Sequence, residues 1–266
     1  MRVLLSLAKP RYHLSYAAVI AAALLFAWPY EFSRGTSSPG VGLLAARLTA
    51  LFVSFNVLFY SGIYIFNDVA DAGADASHPG KRDRPIPAGR ISIGHAMTAG
   101  AALILAGLSS AALFFSPSVV GAYLAALALN AAYSGGGRNV PYLDVALNSA
   151  PHAVRFLMGA LVVDRVPPFR HLVAWFCLAA GVACVRRLVE LETGGAGNRP
   201  VLKHYSARGL SAAADAGFLL MVGLGALDRL QSPGFYVIAI TAYLIGVLAV
   251  RRSEVLQRSL FWLWLR

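Results

Sequence analysis

The sequence predicts an all-α, polytopic transmembrane helical bundle of eight to nine helices. Of its 266 residues, 58% are hydrophobic and only 13% are charged, and its mean hydropathy is +0.64. A soluble domain of this length carries about a quarter charged residues. These values argue against a water-soluble enzyme, and they exclude a disordered chain, a coiled coil and a disulfide scaffold.

Eight stretches are apolar enough, and close enough to the roughly 20 residues that a bilayer requires, to be predicted as spanning helices. A last segment, Val255–Arg266, is apolar and aromatic but short, so it would form either a barely spanning ninth helix or an interfacial one. We expect a single membrane domain over residues 1–266, without a cleavable signal. The eight predicted helices are Leu14–Tyr30, Val41–Phe66, Ile91–Phe115, Val119–Ala132, Tyr142–Val163, Leu172–Leu191, Leu210–Leu227 and Phe235–Val250.

The lysines and arginines predict the orientation of these helices. With the N-terminus in the cytoplasm, sixteen of the 23 Lys and Arg lie on the cytoplasmic side, four on the far side and three in or at the ends of helices. Membrane proteins concentrate these residues on the cytoplasmic side. We therefore expect a protein integral to the cell (inner) membrane, with its N-terminus and active site cytoplasmic. Topology and phosphate sites account for most of the +11 net charge, so no nucleic acid is expected as a partner.

An acidic motif follows the second predicted helix. If that helix continues, Tyr64, Asp68, Asp71 and Asp75 lie at i, i+4, i+7 and i+11, which is one face. Three carboxylates on one face repel one another unless a cation lies among them. Mg²⁺ prefers carboxylate oxygens together with substrate phosphates, so we predict a Mg²⁺ site on this face.

A basic loop follows the acidic face. Lys81, Arg82, Arg84 and Arg90 come six to fifteen residues after Asp75. A metal-bound diphosphate needs both kinds of group, because the metal takes some phosphate oxygens and the cations take others. The alternative is a solvated loop whose cations serve only orientation. Three aligned carboxylates at the end of a membrane helix argue against it, because they are costly without a ligand.

The segment NDVADAGADASHPGKRDRPIPAG resembles the first aspartate-rich motif of the UbiA superfamily of intramembrane prenyltransferases. The resemblance implies about nine helices around a central cavity that opens to the cytoplasm and the lipid. It also implies ionisation of a diphosphate with Mg²⁺ and coupling of the resulting carbocation to an acceptor. The resemblance covers most of the chain, since the helix count and the loop positions also fit.

The place where the superfamily has a second aspartate-rich motif, after helix six, differs here. It contains no aspartate, and the helix ends in Arg186, Arg187 and Glu190, spaced so that both arginines can reach the glutamate. A Gly-rich turn at residues 194–197 and then Arg199 follow. This set suits phosphate groups held directly by arginines better than a second metal cluster. The alternative is a cytoplasmic loop with a glycine at the helix C-cap.

Together the two motifs resemble one branch of the superfamily, the decaprenyl-phosphate phosphoribosyltransferases. In that branch the diphosphate leaves from the anomeric carbon of phosphoribosyl diphosphate (PRPP), and a polyprenyl phosphate is the nucleophile. The branch has a tyrosine and a basic residue between helices four and five, then an acid and an arginine in helix five. Tyr133, Arg138, Asp144 and Arg155 match those places, although the branch usually has lysine in place of Arg138.

Helix five carries a polar stripe. Asp144, Asn148, His152 and Arg155 lie at i, i+4, i+8 and i+11, again on one face. An arginine well inside a span marks a cavity or a substrate path by default. The alternative is a buried structural ion pair between Asp144 and Arg155.

The resulting hypothesis is a Mg²⁺-dependent transfer of the phosphoribosyl group from PRPP to a polyprenyl phosphate, with release of pyrophosphate. The partners are these two substrates and membrane lipids, and a homo-oligomer is compatible with it. The catalytic and metal-binding residues would be Asn67, Asp68, Asp71 and Asp75. The substrate-binding residues would be Lys81, Arg82, Arg84, Tyr133, Arg138, Asp144, Arg155, Arg186, Arg187 and Glu190.

Two rival hypotheses stand beside it. An aromatic prenyltransferase or a UbiA-type cyclase would use a prenyl diphosphate, but it would normally need acids at both sites. A transporter or lipid-binding protein on a degenerate enzyme scaffold is the other rival. The intact first motif argues against a degenerate site, and the chain shows no convincing internal repeat of the kind that transporters carry.

Overall fold

A computed structural model of the chain describes residues 16–31, 39–77, 81–192, 199–228 and 233–257. Over these ranges the regular structure is entirely helical, and eight long helices match the eight predicted ones in order. The predicted all-α class is therefore confirmed. Most of the proposed ninth segment, from residue 258 onward, lies outside the described residues.

The helix bounds follow the apolar stretches of the sequence. The first four helices are α1 (Ala17–Glu31), α2 (Pro39–Leu51, continued by the π-helical Phe52–Tyr60 and by Ser61–Ala76), α3 (Ile93–Phe114) and α4 (Pro117–Ser134). The last four are α5 (Leu143–Val162), α6 (Phe169–Glu192), α7 (Ala207–Leu227) and α8 (Pro233–Tyr243, continued by the π-helical Leu244–Ala249 and by Val250–Arg252). By length and composition, six of them are able to cross a membrane, namely α2, α3, α5, α6, α7 and α8.

The described residues divide into two compact units. The first unit holds the residues up to Asn130 together with the end of α5, Leu157–Val166. The second unit holds the end of α4, most of α5, and α6, α7 and α8. The acidic motif of the sequence belongs to the first unit, and the arginine-rich segment after helix six belongs to the second.

Within the first unit, glycines bring α2 and α3 into close contact. A Cβ atom on Gly62 of α2 would lie 2.5 Å from the carbonyl oxygen of Gly100 in α3. A Cβ atom on Gly107 of α3 would lie 2.8 Å from the carbonyl oxygen of Ser54. Small residues let helix backbones approach in a membrane, where there is little hydrophobic force to bring them together. This packing holds the part of α2 that leads into the acidic motif.

Within the second unit, α6 packs along α7, and α8 packs against both. The hydroxyl of Tyr243 in α8 donates a hydrogen bond to the carbonyl oxygen of Ala214 in α7, and its ring covers Gly181 of α6. At the start of α6, Arg170 forms an ion pair with the buried Asp228 at the end of α7. These contacts fix α6, whose other end carries Arg186, Arg187 and Glu190.

Candidate active site

The acidic motif lies on a helix, as its spacing requires. Helix α2 continues to Ala76, past the end predicted at Phe66, so the acids project from an ordered helical face. Asp68 and Asp75 lie on that face and are only 5% and 3% exposed. Asn67 and Asp71 are half-buried. Cations from the following loop reach the buried carboxylates and offset the repulsion between them.

Arg84 is the main cation at the acidic face. Its Nη1 atom lies 2.8 Å from Oδ2 of Asp75 and 3.4 Å from Oδ1 of Asp68, so one guanidinium bridges two carboxylates seven residues apart. Lys81 adds a second cation, with its Nζ atom 3.4 Å from Oδ1 of Asp75. Both cations remain partly exposed, with 33% of the Arg84 side chain and 41% of the Lys81 side chain accessible to solvent.

An apolar contact positions this basic loop. Ile86, between two prolines of the loop, is buried against Ile65 of α2 and Ala96 of α3. The loop then turns back through backbone hydrogen bonds, among them the one from Arg90 N–H to the carbonyl oxygen of Pro85. Docking of Ile86 holds Arg84 next to the acidic face. Arg82 is exposed, so of the predicted cations in this loop, Lys81 and Arg84 are those in contact with the acids.

The acidic face suits a metal that arrives with its substrate. Over the described ranges, no group of three or more His, Cys, Asp or Glu side chains converges closely enough to hold a metal ion without another ligand. Mg²⁺ is usually bound by one or two carboxylates, several waters and the phosphates of a substrate. The oxygen donors of Asp68, Asp71, Asp75 and Asn67 on adjacent turns of α2 fit that chemistry.

The second unit contains a buried ion network at the end of α6. Asp144, in the first turn of α5, is fully buried and accepts a hydrogen bond from Nε of Arg187 at 2.7 Å. Arg187 is 1% exposed, and its Nη1 atom donates to Oε2 of Glu190 at 3.1 Å. The network therefore pairs Asp144 with an arginine 43 residues away. The alternative partner on its own helix, Arg155, donates from Nη1 to the carbonyl oxygen of Pro151 at 3.3 Å.

Glu190 is shared by three arginines. In addition to Arg187, it contacts Nε of Arg186 at 3.2 Å and Nε of Arg199 at 3.4 Å. Arg199 also donates from Nη1 to the hydroxyl of Tyr133 at 3.1 Å. We call Asp144, Arg186, Arg187, Glu190 and Arg199 the arginine cluster. Asp144, Arg187 and Glu190 are buried, whereas Arg186 and Arg199 are partly exposed. The three cations and two carboxylates give the cluster a formal excess of one positive charge, which favours an anion as its ligand.

Tyr205 links the arginine cluster to the backbone. Its hydroxyl donates a hydrogen bond to Asp144 and accepts one from the backbone N–H of Tyr142 at 2.6 Å. Burial, reinforced by the hydrogen bond to Asp144, raises the pKa of Tyr205, so the phenol stays protonated as a donor. The rings of Tyr205 and Tyr142 also meet edge to face, with centroids 5.0 Å apart.

The other predicted residues of the second unit lie on neighbouring elements. Arg155 is 4% exposed within α5, and Asn148 and His152 of the same stripe are half-buried. Arg138 is half-buried on the 3-10 turn Gly137–Asn139, which packs against a second 3-10 turn, Pro200–His204. That second turn directly follows Arg199.

Arg199 and Tyr205 are the two residues that the predicted set did not include. Both belong to the segment after the Gly-rich turn, close in sequence to Glu190. The sequence signal for Arg199 is a basic residue directly after the Gly-rich turn, which groups Arg199 with the arginines at the end of helix six, without a substrate-binding role of its own. The turn itself, residues 194–197, lies outside the described residues.

Comparison with protein families identifies the chain. A model of the UbiA prenyltransferase family matches residues 16–265. The chain belongs to the UbiA prenyltransferase family. With its apolar helices it is therefore an integral membrane protein and a transferase by family.

Relatives within and near the family agree with this placement. The decaprenyl-phosphate phosphoribosyltransferase of Mycobacterium tuberculosis is 27% identical over 252 residues, which is 90% of this chain and 79% of the relative. The one from Corynebacterium glutamicum is 33% identical over 160 residues, which is 55% of this chain but only 45% of the relative. The match to the second protein thus spans less than half of its length.

Solved structures show that the chain has the UbiA fold. A UbiA homolog from Archaeoglobus fulgidus bound to GPP and Mg²⁺ superposes with a TM-score of 0.72, covering 98% of this chain and 95% of that chain at 17% identity. A digeranylgeranylglyceryl phosphate synthase superposes with a TM-score of 0.69, covering 98% and 93% at 14% identity. At these identities the likeness concerns the fold.

Proposed function

We propose that this UbiA-family protein transfers the 5-phosphoribosyl group of PRPP to a polyprenyl phosphate and releases pyrophosphate. One observation carries the proposal. The single buried carboxylate of Glu190 is shared by three arginines, in a segment where the sequence has no aspartate. That arrangement suits phosphate groups, whereas a prenyl diphosphate enzyme would normally place further acids there. The names of the two phosphoribosyltransferase relatives support the same assignment.

The acidic face of α2 would hold the diphosphate of PRPP through Mg²⁺. The residues in contact with the metal would be Asn67, Asp68, Asp71 and Asp75. Mg²⁺ held by these residues would supply positive charge to neutralise the leaving pyrophosphate. The A. fulgidus homolog that was solved with GPP and Mg²⁺ supports the choice of metal.

Arg84 and Lys81 would change partners when this substrate arrives. Without substrate, Arg84 bridges Asp68 and Asp75 and so relieves the repulsion between them. Both cations are partly exposed, so the guanidinium of Arg84 and the ammonium of Lys81 would be able to turn from the carboxylates to phosphate oxygens. They would then stabilise the leaving group as it departs.

The reaction itself requires no strong base. The bond between C1 of ribose and the pyrophosphate oxygen breaks, and its electron pair leaves with pyrophosphate. An oxygen of the polyprenyl phosphate then forms the new bond to C1 from the opposite face. The nucleophile is already an anion, so positioning and charge stabilisation are the main contributions asked of the protein.

The arginine cluster would hold a phosphate group of one of the substrates. Arg187 is buried and already bonded to Asp144 and Glu190, so we assign it a positioning role. Arg186 is one-third exposed, and with Arg138 it is the better candidate for direct contact among the predicted residues. Glu190 would orient these guanidinium groups.

The membrane arrangement belongs to the same proposal. We treat residues 1–266 as one UbiA-like integral membrane domain, which the family match over residues 16–265 supports. Its N-terminus and active site would face the cytoplasm of the cell membrane, because Lys and Arg concentrate on that side of the predicted topology. The polyprenyl chain would then run in the lipid.

The decisive experiment compares two substrate pairs. The purified protein in nanodiscs with Mg²⁺ receives either PRPP with a polyprenyl phosphate or a prenyl diphosphate with an aromatic acid, and pyrophosphate release is measured. We expect release with the first pair and none above background with the second. Release with only the second pair would make the protein an aromatic prenyltransferase and overturn the proposal.

A further inference from the structure

Arg199 is a loop residue held in place from two sides. Its Nε atom lies 3.4 Å from Oε2 of Glu190, and its Nη1 atom donates to the hydroxyl of Tyr133 at 3.1 Å. These partners come from the end of α6 and the end of α4, both within the second unit. The side chain is nevertheless 28% exposed. A long arginine side chain loses considerable rotamer entropy when it is fixed in this way, so the arrangement is pre-organised for a task.

The donors of Arg199 outnumber the acceptors that it uses. A guanidinium carries five N–H donors in a planar fork, of which Nε faces Glu190 in an ion pair and one on Nη1 donates to Tyr133. The remaining donors lie on the terminal nitrogens, which form the bidentate edge that matches a phosphate. Since the side chain keeps contact with solvent, a ligand can reach that edge.

The surrounding charge favours an anion at the same place. Glu190 is 6% exposed, and its carboxylate serves Arg186, Arg187 and Arg199 together. Asp144 pairs with Arg187. The three arginines and the two carboxylates together carry an excess of one positive charge. A buried cation is costly unless it is paired. Arg187 is buried, whereas Arg186 and Arg199 are partly exposed. The excess positive charge is therefore accessible to a ligand at Arg186 and Arg199.

We propose that Arg199, oriented by Glu190 and Tyr133, binds a phosphate monoester group of one of the two substrates. This inference rests on the proposed function and adds to it a direct contact by Arg199, which the predicted list of substrate-binding residues does not contain. The shared chemistry is a phosphate monoester dianion, which is present both on the 5-position of the ribose donor and on the head of the polyprenyl acceptor. Arg199 and Arg186 would contribute parallel N–H donors to its oxygens, and Tyr133 would keep the fork of Arg199 in its plane.

The test separates the two sources of the phosphate. Ribose 5-phosphate and a short-chain polyprenyl phosphate are titrated separately into the full-length protein in nanodiscs by calorimetry, and neither measurement requires turnover. We expect Arg199→Gln to weaken the binding of one probe by about tenfold or more, as for a charge-assisted bidentate contact. The probe affected identifies the substrate. The affinity of Arg199→Lys for the same probe should lie between those of the wild type and Arg199→Gln, because lysine keeps the positive charge but lacks the planar set of N–H donors.

Two further variants distinguish recognition from general effects. Tyr133→Phe removes only the hydroxyl that orients Arg199, and we expect a smaller loss of about two- to fivefold for the same probe. Arg252→Gln removes a charge from an exposed arginine at the end of α8, and it should leave both affinities near the wild-type values. The thermal midpoint of each variant is recorded, so that a loss caused by unfolding is recognised.

Several outcomes would overturn the inference. These are unchanged affinity for both probes in Arg199→Gln, an equal loss in Arg252→Gln, or no saturable binding of either probe by the wild type. Failure of the proposed function looks different, because Arg199-dependent binding would persist in a protein that releases no pyrophosphate from PRPP. Conversely, normal turnover of PRPP with unchanged KM values in Arg199→Gln would leave the proposed function standing and remove this inference.

Discussion

Arg84 lies 2.8 Å from Asp75 and 3.4 Å from Asp68, so its guanidinium bridges the two buried carboxylates of the acidic face. The spacing of these acids predicts that they need a cation between them. The guanidinium of Arg84 already lies there. A metal ion at this face would therefore compete with Arg84 for the same carboxylate oxygens.

Replacing Arg84 with glutamine should have opposite effects on a bare metal ion and on a metal–diphosphate complex. Without substrate, removal of the competing cation should strengthen Mn²⁺ binding by about tenfold, as expected for one charge-assisted contact. Binding of pyrophosphate with Mg²⁺ should weaken, because the guanidinium of Arg84 no longer contacts the phosphate oxygens. Electron paramagnetic resonance of Mn²⁺ and calorimetry of pyrophosphate measure the two effects. The control is Arg252→Gln, which removes an exposed arginine at the end of α8 in the second unit. A parallel loss of both affinities in Arg84→Gln would rule out competition.

Asp71→Ala should abolish turnover without unfolding the protein. Asp71 is half-buried on the acidic face, and its carboxylate would be a ligand of the metal that stabilises the leaving group. We expect the rate of pyrophosphate release to fall by at least about 100-fold, the order found when one electrostatic contact to a transition state is lost. The matched control is Asp83→Ala, an exposed acid of the basic loop. Activity of Asp71→Ala near that of the control would contradict the metal assignment.

Arg187→Gln should destabilise the second unit more than Arg186→Gln does. Arg187 is 1% exposed and joins Asp144 to Glu190, so its removal leaves two carboxylates buried without their shared cation. Breaking a buried ion pair in this way costs about 3–5 kcal/mol, whereas a partly exposed pair such as that of Arg186 is worth about 0–1 kcal/mol. Thermal unfolding in the same detergent compares the two variants. Equal midpoints would show that the network does not support the fold.

Asp228→Asn should lower stability and leave catalysis unchanged. Asp228 is 3% exposed at the end of α7 and pairs with Arg170 at the start of α6, at the opposite end of α6 from the arginine cluster. Loss of this charge leaves Arg170 with a weaker partner, and we expect a cost of about 1–3 kcal/mol. Chemical unfolding measures the cost, and KM values for both substrates measure the site. A specific change in KM at wild-type stability would instead connect this end of α6 to substrate binding.

The first motif was predictable because its pattern is local. Asp68 and Asp75 fall on one face wherever the chain is helical, since 3.6 residues per turn bring positions seven apart together. The cation that joins them was not predictable as a contact, because Arg84 belongs to a separate loop whose Ile86 packs against Ile65. This packing buries the apolar side chain of Ile86 between two helices. Residue spacing in the sequence does not predict such a contact.

The second cluster shows the same limit over longer distances. The spacing of Arg186, Arg187 and Glu190 predicted that both arginines reach the glutamate, and both do. Arg155 was the alternative partner for Asp144 because it lies on the same helix face. Eleven residues along a helix span about 16 Å, however, which separates Arg155 from Asp144. Arg187, from another helix, lies 2.7 Å from Asp144 and is its partner.

Hydropathy and helical periodicity alone determined the membrane class, the order of eight helices and the acidic face of α2. These are properties of neighbouring residues, and the chain carries them wherever it folds. Only the tertiary structure decided that Arg84 bridges Asp68 and Asp75, that Arg187 pairs with Asp144 of another helix, and that Arg199 is the third arginine at Glu190. Ion pairs between separate elements form where packing brings those elements together, and burial then sets their strength.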